Sequence, residues 1–263
     1  MEPQQRDGAP GAQVIVISGP SGVGKDTIIN ELRRRPIGQA FHYVVTCTTR
    51  KPRTGEMNGV HYHFQTPESF EELLAAGELL EHATVHGRSY GTPREEVRMA
   101  LAAGQDALCK IDVQGARSIR AIIPEALLIF IAPPSPEALA QRLAGRGTES
   151  AEQLVARAHT AMVEMERAGE YDYMVMNETG YPEEAAAEVE RIVLAERARH
   201  LVLHHEDLAG VVERAGRHRP IRVAGRPVAD ATGVNAMAVA RRGHVQSVQQ
   251  HLLAQALRHP VGD

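Results

Sequence analysis

Tryptophan is absent from this 263-residue chain, and phenylalanine, tyrosine, cysteine and lysine are scarce, with 4, 6, 2 and 3 residues respectively. Two cysteines, Cys47 and Cys109, cannot build a disulfide framework, so a reducing compartment is expected and the chain reads as cytoplasmic. Long apolar runs are missing as well. No stretch approaches the roughly 20 apolar residues of a membrane span. The opening MEPQQRDGAPGAQ lacks the apolar core of a secretory signal, and residues 1–12 read as a disordered tail. A net charge of −4 supplies no general polycation, which argues against nucleic acid and membranes as partners. What remains is a globular composition, 43% hydrophobic and 24% charged, long enough for one substantial α/β domain plus an extra piece.

The scarcity of lysine gives each one weight. Lys25, Lys51 and Lys110 stand among 29 basic residues that are otherwise arginine, and the compact ammonium does what a planar guanidinium does not. Lys25 closes GPSGVGK, residues 19 to 25. The segment follows a short apolar run, QVIVIS, and precedes a stretch with helical spacing at Ile28, Ile29 and Leu32 that Pro36 terminates. Strand, glycine-rich loop and helix together mark a phosphate-binding loop. Backbone N–H groups from Gly19, Pro20, Ser21, Gly22, Val23, Gly24 and Lys25 (proline excepted) wrap a phosphate, and the helix N-terminus adds attraction. The usual pattern continues with Ser or Thr as a Mg²⁺ ligand; here the residue is Asp26, followed by Thr27.

Downstream the hydrophobic periodicity alternates. Strands are expected at 42–47, near 79–85, in DALCKID, in ALLIFIAPP and in YDYMVMN. Helices are expected in PESFEELLAAG, REEVRMALAAG, VQGARSIRAII, PEALAQRLAGRG, SAEQLVARAHTAMVEMERAG and PEEAAAEVERIVLAERARH. The predicted class is α/β, a phosphate-loop fold with a parallel sheet between two helical layers. After about residue 199 the character changes: seven of thirteen histidines lie beyond it, HRPIRVAGRPV reads as loop, and residues 245–256 have amphipathic helical spacing. His200 and His204 lack cysteine or carboxylate partners, so this tail reads as an appended extension or self-association element, and a homodimer is an open option.

A second set of residues suits an acceptor. Arg50 and Arg53 offer two guanidinium forks and Tyr62 a phenol, which fits a phosphate monoester. Carboxylates at Glu81 and Asp112 match the N–H and NH₂ donors of a guanine edge, and hydroxyls at Thr46 and Thr92 match its carbonyl. Adenine presents the wrong pattern.

ISGPSGVGK, TTRKPRTGEMNGVHY, SYGTP, IDVQGA, IAPPS and RLAGRGTE follow in an order and spacing that resemble the guanylate kinase family from about residue 13 to residue 198. The resemblance implies transfer of the γ-phosphate of ATP to GMP, with dGMP as a further acceptor, in the presence of Mg²⁺. It implies a GMP-binding subdomain at about 41–94 and a helical lid at about 141–160. It assigns GMP phosphate to Arg50, Arg53, Tyr62 and Tyr90, and guanine to Thr46, Glu81, Thr92 and Asp112, with Gly91 inside the same SYGT segment. Lys25 and the lid arginines Arg142, Arg146 and Arg157 are the expected catalytic set; Asn177 and residues 19–27 are the expected ATP side. Family members usually have Ser or Thr at position 26 and an acid at position 110; this chain has Asp26 and Lys110, as do plant organelle-type relatives in kind. The two changes read as a coupled swap in which Asp26 takes the metal, directly or through water, and Lys110 neutralises it or contacts a phosphate. Thr27 does not replace the lost hydroxyl, since one residue on a helix turns the side chain by about 100°. The competing readings are a kinase for another phosphorylated substrate, such as ribose 1,5-bisphosphate, and a non-catalytic interaction domain of the same fold.

Overall fold

A computed structural model describes residues 11–85, 87–144, 151–206 and 222–223. The chain divides into two compact units: one gathers residues up to Ser18, Arg33–Ile129 and the stretch from Glu190, the other Gly19–Leu32, Phe130–Val189 and the stretch from Pro220.

In the first unit, β1 (Val14–Ser18) is buried along its whole length, as its unbroken apolar run demands of a strand covered on both faces. It pairs in parallel with β7 (Asp106–Lys110), which sets Ile17 opposite Lys110. β2 (Phe41–Tyr43) pairs in parallel with the other side of β7, and with the first residues of β8 (Leu127–Ala132) the order is β8-β1-β7-β2. Helices α3 (Arg94–Ala102) and α4 (Val113–Ile122) bury Val97, Ala100, Ala116 and Ile119. Asp112 caps α4 by accepting the N–H groups of Gln114 and Gly115.

The run 42–47, expected as one strand, is two. After Tyr43 the Val44 N–H still donates to Leu108 O at 3.0 Å, but the Val45 N–H donates to Glu96 Oε2 at 2.9 Å. That side chain takes the backbone out of the ladder, and β3 (Cys47–Thr48) enters a second sheet of order β4-β3-β6-β5. There β4 (His63–Phe64) runs parallel to β3, while β6 (Arg88–Pro93) runs antiparallel to both β3 and β5 (Leu79–Val85). Strand β6 contains SYGTP, which carried no strand expectation because glycine and proline punctuate it. Helix α2 (Pro67–Ala75), capped by Thr66, covers this sheet with Phe70, Leu73 and Leu74 against Cys47 and Leu79.

The second unit holds α1 (Lys25–Arg33), the last residues of β8, α5 (Pro136–Ala144), α6 (Ala151–Glu166) and β9 (Tyr173–Met176). Ile28, Leu32, Phe130, Ile131, Leu139, Leu143, Ala161 and Val175 are among its buried apolar residues. HRPIRVAGRPV, expected as loop, contains a two-residue strand, β10 (Arg222–Val223), parallel to β9; it supplies partners for backbone groups that β9 otherwise leaves at an edge. The order there is β10-β9-β8. Helix α7 (Pro182–Glu206) crosses residue 199 without a break. The tail at 1–10, the side chains of His200 and His204 and the helix expected at 245–256 lie outside the described residues. No described helix is long and apolar enough to cross a membrane.

One buried carboxylate ties the first unit together. Asp106 is 1% exposed and accepts from Arg197 Nη2 at 2.7 Å, Arg197 Nε at 3.0 Å and the Gln13 N–H at 3.0 Å. Replacing Arg197 by Ala leaves that carboxylate one partner, and the expected loss is about 1–3 kcal/mol. Thermal unfolding of Arg197→Ala should show a midpoint several degrees lower; an unchanged midpoint would remove this tie from the account.

Candidate functional site

The phosphate loop is shaped from behind. Gly19 has φ +143°, and a Cβ there would lie 2.3 Å from Ile131 O, so no side chain is tolerated. Gly24, at φ +98°, leaves room for Asn177 Nδ2, which a Cβ would meet at 2.6 Å. Asn177 spends that amide on the Val23 carbonyl at 2.7 Å, and Arg142 Nη1 reaches the same oxygen at 3.1 Å. Arg142 Nη2 also donates to Asn177 O at 2.8 Å and Thr179 Oγ1 at 3.0 Å. Burial lowers the Arg142 pKa, and the Glu178 carboxylate opposes that shift. Lys25, first residue of α1, lays its ammonium back over the loop, donating to Gly19 O at 2.5 Å and Pro20 O at 3.1 Å. Helix α6 supplies two further contacts to Ser21: Arg157 Nη2 donates to its hydroxyl at 3.0 Å, and Glu164 Oε2 accepts its backbone N–H at 2.9 Å. Asn177 Oδ1 is buried and, among the described residues, accepts no hydrogen bond.

Asp26 and Thr27 are exposed in the first turn of α1, where an acid is favoured by the helix dipole. Among the described residues no three His, Cys, Asp or Glu side chains form a metal cage. Mg²⁺ needs less, since it is commonly held by one or two carboxylates, water and substrate phosphates; a single exposed Asp26 beside Lys25 fits that requirement. Arg146 lies outside the described residues.

The first unit carries the other set. Arg50 grips Glu56 with two parallel bonds, Nη1 to Oε2 and Nη2 to Oε1, both 2.9 Å, and the Arg53 N–H donates to Oε2 at 2.7 Å. Burial works against charge on Glu56, but these bonds and both arginine charges outweigh it and lower its pKa. The Arg53 side chain is exposed. The Arg50 guanidinium carbon lies 5.2 Å from the Tyr62 ring centroid, and Tyr62 meets Tyr90 edge-on at 6.1 Å. Thr46 is buried, with its carbonyl accepting from the His63 N–H. Gly91 sits opposite Cys47 in β3 and His82 in β5.

Glu81 is 6% exposed, and Thr92, fully buried, donates its hydroxyl to Oε1 at 2.5 Å. Burial pushes the Glu81 carboxyl up to about 7; the Thr92 hydrogen bond opposes the rise and the nearby Asp112 charge adds to it. Gly115 makes the space, since a Cβ on it would meet Glu81 Oε2 at 2.6 Å.

Three contributors went unread in the sequence. Glu56 lies inside the quoted basic segment, three residues past Arg53, where one acid among arginines is a signal. Glu164 is seven residues after Arg157, two helical turns along the same face. Gly115 had no local signal, because its reason is a carboxylate 34 positions away.

A glycine-rich loop closed by a helix-starting lysine, with a separate cluster of arginine, tyrosine and buried carboxylate, defines a phosphate-loop nucleotide kinase. The guanylate kinase family model matches residues 11–196. The guanylate kinase of Thermobifida fusca is 50% identical over 165 residues, 63% of this chain and 83% of that protein. That of Carboxydothermus hydrogenoformans is 40% identical over 203 residues, 76% and 98% of the two chains. Rice guanylate kinase 2, chloroplastic/mitochondrial, is 42% identical over 191 residues, 72% of this chain and 66% of that protein. A crystal structure of guanylate kinase from Anaplasma phagocytophilum matches with a TM-score of 0.59 and 32% identity, covering 73% of this chain and 89% of that one. The chain belongs to the guanylate kinase family and is an enzyme, an ATP:GMP phosphotransferase.

Glu81 makes stability depend on pH. Its folded value of about 7 exceeds the ordinary 4.5, so the folded state holds the proton more tightly. The contribution is fully present below about pH 4.5 and is lost as pH rises through about 7, amounting to about 3 kcal/mol. In denaturant titrations without ligand, Glu81→Gln should be more stable than the parent at pH 8 and lose its advantage at pH 4.5. Equal stability at both pH values would contradict this.

Proposed function

We propose that the two residue sets divide the nucleotides between them, the phosphate loop taking ATP and the cluster around Glu81 taking GMP. The observation that carries the guanine assignment is the buried Glu81–Thr92 pair with Asp112 beside it. Ionised carboxylates accept from guanine N1–H and NH₂, and the Thr46 hydroxyl serves its carbonyl; Thr92, expected to do the same, gives its one hydroxyl hydrogen to Glu81 and so acts by positioning that carboxylate. Adenine in the same place leaves buried polar groups unpaired, which is how a site rejects a near-isostere. Arg50, Arg53, Tyr62 and Tyr90 take the GMP phosphate.

On the ATP side, the loop amides and Lys25 hold the β and γ phosphates, and Thr27 contacts the α phosphate. The Asn177 Oδ1 acceptor suits an exocyclic amine such as that of adenine. Arg142, Arg146 and Arg157 serve the transferring phosphoryl group. The nucleophile, a GMP phosphate oxygen, is already anionic, so little proton chemistry is needed. Catalysis is positioning and charge neutralisation. Mg²⁺, held by Asp26 directly or through water, supplies neutralisation of phosphate charge when bound. With both cysteines buried and no disulfide, the reducing cytoplasm is the compartment we assign, and purine nucleotide metabolism the setting.

A coupled ADP-release assay with GMP, dGMP, AMP, UMP and ribose 1,5-bisphosphate tests the acceptor. Turnover should be confined to GMP and dGMP, and Glu81→Gln should lower kcat/KM for GMP about a hundredfold. Turnover of AMP equal to that of GMP would end the guanine reading. For the metal, Asp26→Asn should require more Mg²⁺ to reach half-maximal ATP binding; an unchanged Mg²⁺ titration removes Asp26 from that role.

A further inference from the structure

Glu96 lies in the first turn of α3, just after the end of β6, and is half-buried. Its carboxylate meets three separate segments of the first unit. Oε2 accepts the Val45 N–H at 2.9 Å and faces His42 Nε2 of β2 at 3.4 Å. Oε1 faces His63 Nε2 of β4 at 2.8 Å. An ionised carboxylate only accepts, so the imidazole nitrogens donate to it. Neither histidine belongs to the proposed nucleotide sites, yet two of these contacts adjoin residues that do. Val45 precedes Thr46, assigned to the guanine carbonyl, and His63 follows Tyr62, assigned to the GMP phosphate. The Thr46 carbonyl also accepts the His63 N–H at 2.9 Å, so the two segments are joined to each other as well as to the helix. The Val45 N–H has left the ladder of β7, and Glu96 is the acceptor that it finds instead. One side chain therefore holds the backbone beside a guanine residue and the imidazole beside a phosphate residue.

We propose that Glu96 is a positioning residue for the acceptor nucleotide: it fixes the Val45 and His63 segments at one spacing, and so sets Thr46 for the guanine and Tyr62 for the phosphate of the same GMP. The proposal rests on the assignment of GMP to these residues of the first unit. Glu96 acts through its neighbours and touches no nucleotide itself. Its effect falls on the acceptor and not on ATP.

The test is equilibrium binding of GMP and of a non-hydrolysable ATP analogue to the full chain, with kcat and KM for GMP measured alongside. The variants are Glu96→Ala, Glu96→Gln, His63→Ala and the Glu96→Ala, His63→Ala pair, with Tyr62→Phe and Glu81→Gln as controls on the site itself. Glu96→Ala should weaken GMP about tenfold, seen in KM and not in kcat at saturating GMP. The ATP analogue should bind unchanged, which also certifies folding. Glu96→Gln keeps an oxygen for the Val45 N–H and offers its amide to a lone pair of a neutral His63, so it should recover most of the loss. In the His63→Ala background Glu96→Ala should cost less than in the parent, since the two act through one contact. Unchanged GMP binding in Glu96→Ala, or equal loss of GMP and the ATP analogue with no recovery by glutamine, would overturn the proposal. If Tyr62→Phe and Glu81→Gln leave GMP binding at the parent value, the assignment of GMP is itself refuted. If they weaken it and Glu96→Ala does not, only the positioning role falls.

Discussion

The Val23 carbonyl is the point on which the phosphate loop depends. A loop that turns its N–H groups inward toward a phosphate has to point carbonyls outward, and each outward carbonyl needs a donor. Asn177 and Arg142 both donate to this one. The consequences spread from there. Asn177 fits only because Gly24 has no Cβ, and Arg142 reaches only because α5 ends beside the loop. Asn177 is itself anchored by its N–H to Ala132 O at the end of β8. The glycine, the amide and the arginine are therefore one structural statement, in which the protein spends its own polar groups to keep the amide side of the loop turned toward a ligand.

The same economy of charge organises the first unit. Buried carboxylates and arginines are costly unless each has a partner. Asp106 has Arg197, Glu56 has Arg50, and Glu81 has neutral donors from Thr92, its hydroxyl and its backbone. The last case differs in kind. Burial holds the Glu81 carboxyl near neutrality against the lowering effect of its Thr92 hydrogen bonds, with no cation to reverse it.

Much of this was legible in the sequence, for reasons that differ by element. β1, β7 and β8 declared themselves because strands buried on both faces read as unbroken apolar runs. The phosphate loop was legible because its glycines, lysine and flanking elements all obey local rules. The second sheet was less so. Strand β6 is built from SYGTP, which local propensity argues against, and it exists because β3 and β5 pair with it on either side. The division of 42–47 was hidden for the same reason: Glu96, half a hundred residues on, takes the Val45 N–H. Among the proposed site residues, motif register singled out Arg50, Tyr62, Glu81, Thr92 and Asn177. The residues that support them, Gly115 and Glu164, answer to neighbours distant in the chain, and no window of sequence contains both halves of such a contact.

Positions 26 and 110 depart from the residues usual in the family, an acid on helix α1 and a base at the end of β7, and each has an account within its own unit. Asp26 sits in the first turn of α1, where the helix dipole favours a carboxylate and a divalent cation beside phosphates has use for one. Lys110 lies against Tyr62, one of the residues proposed to take the GMP phosphate.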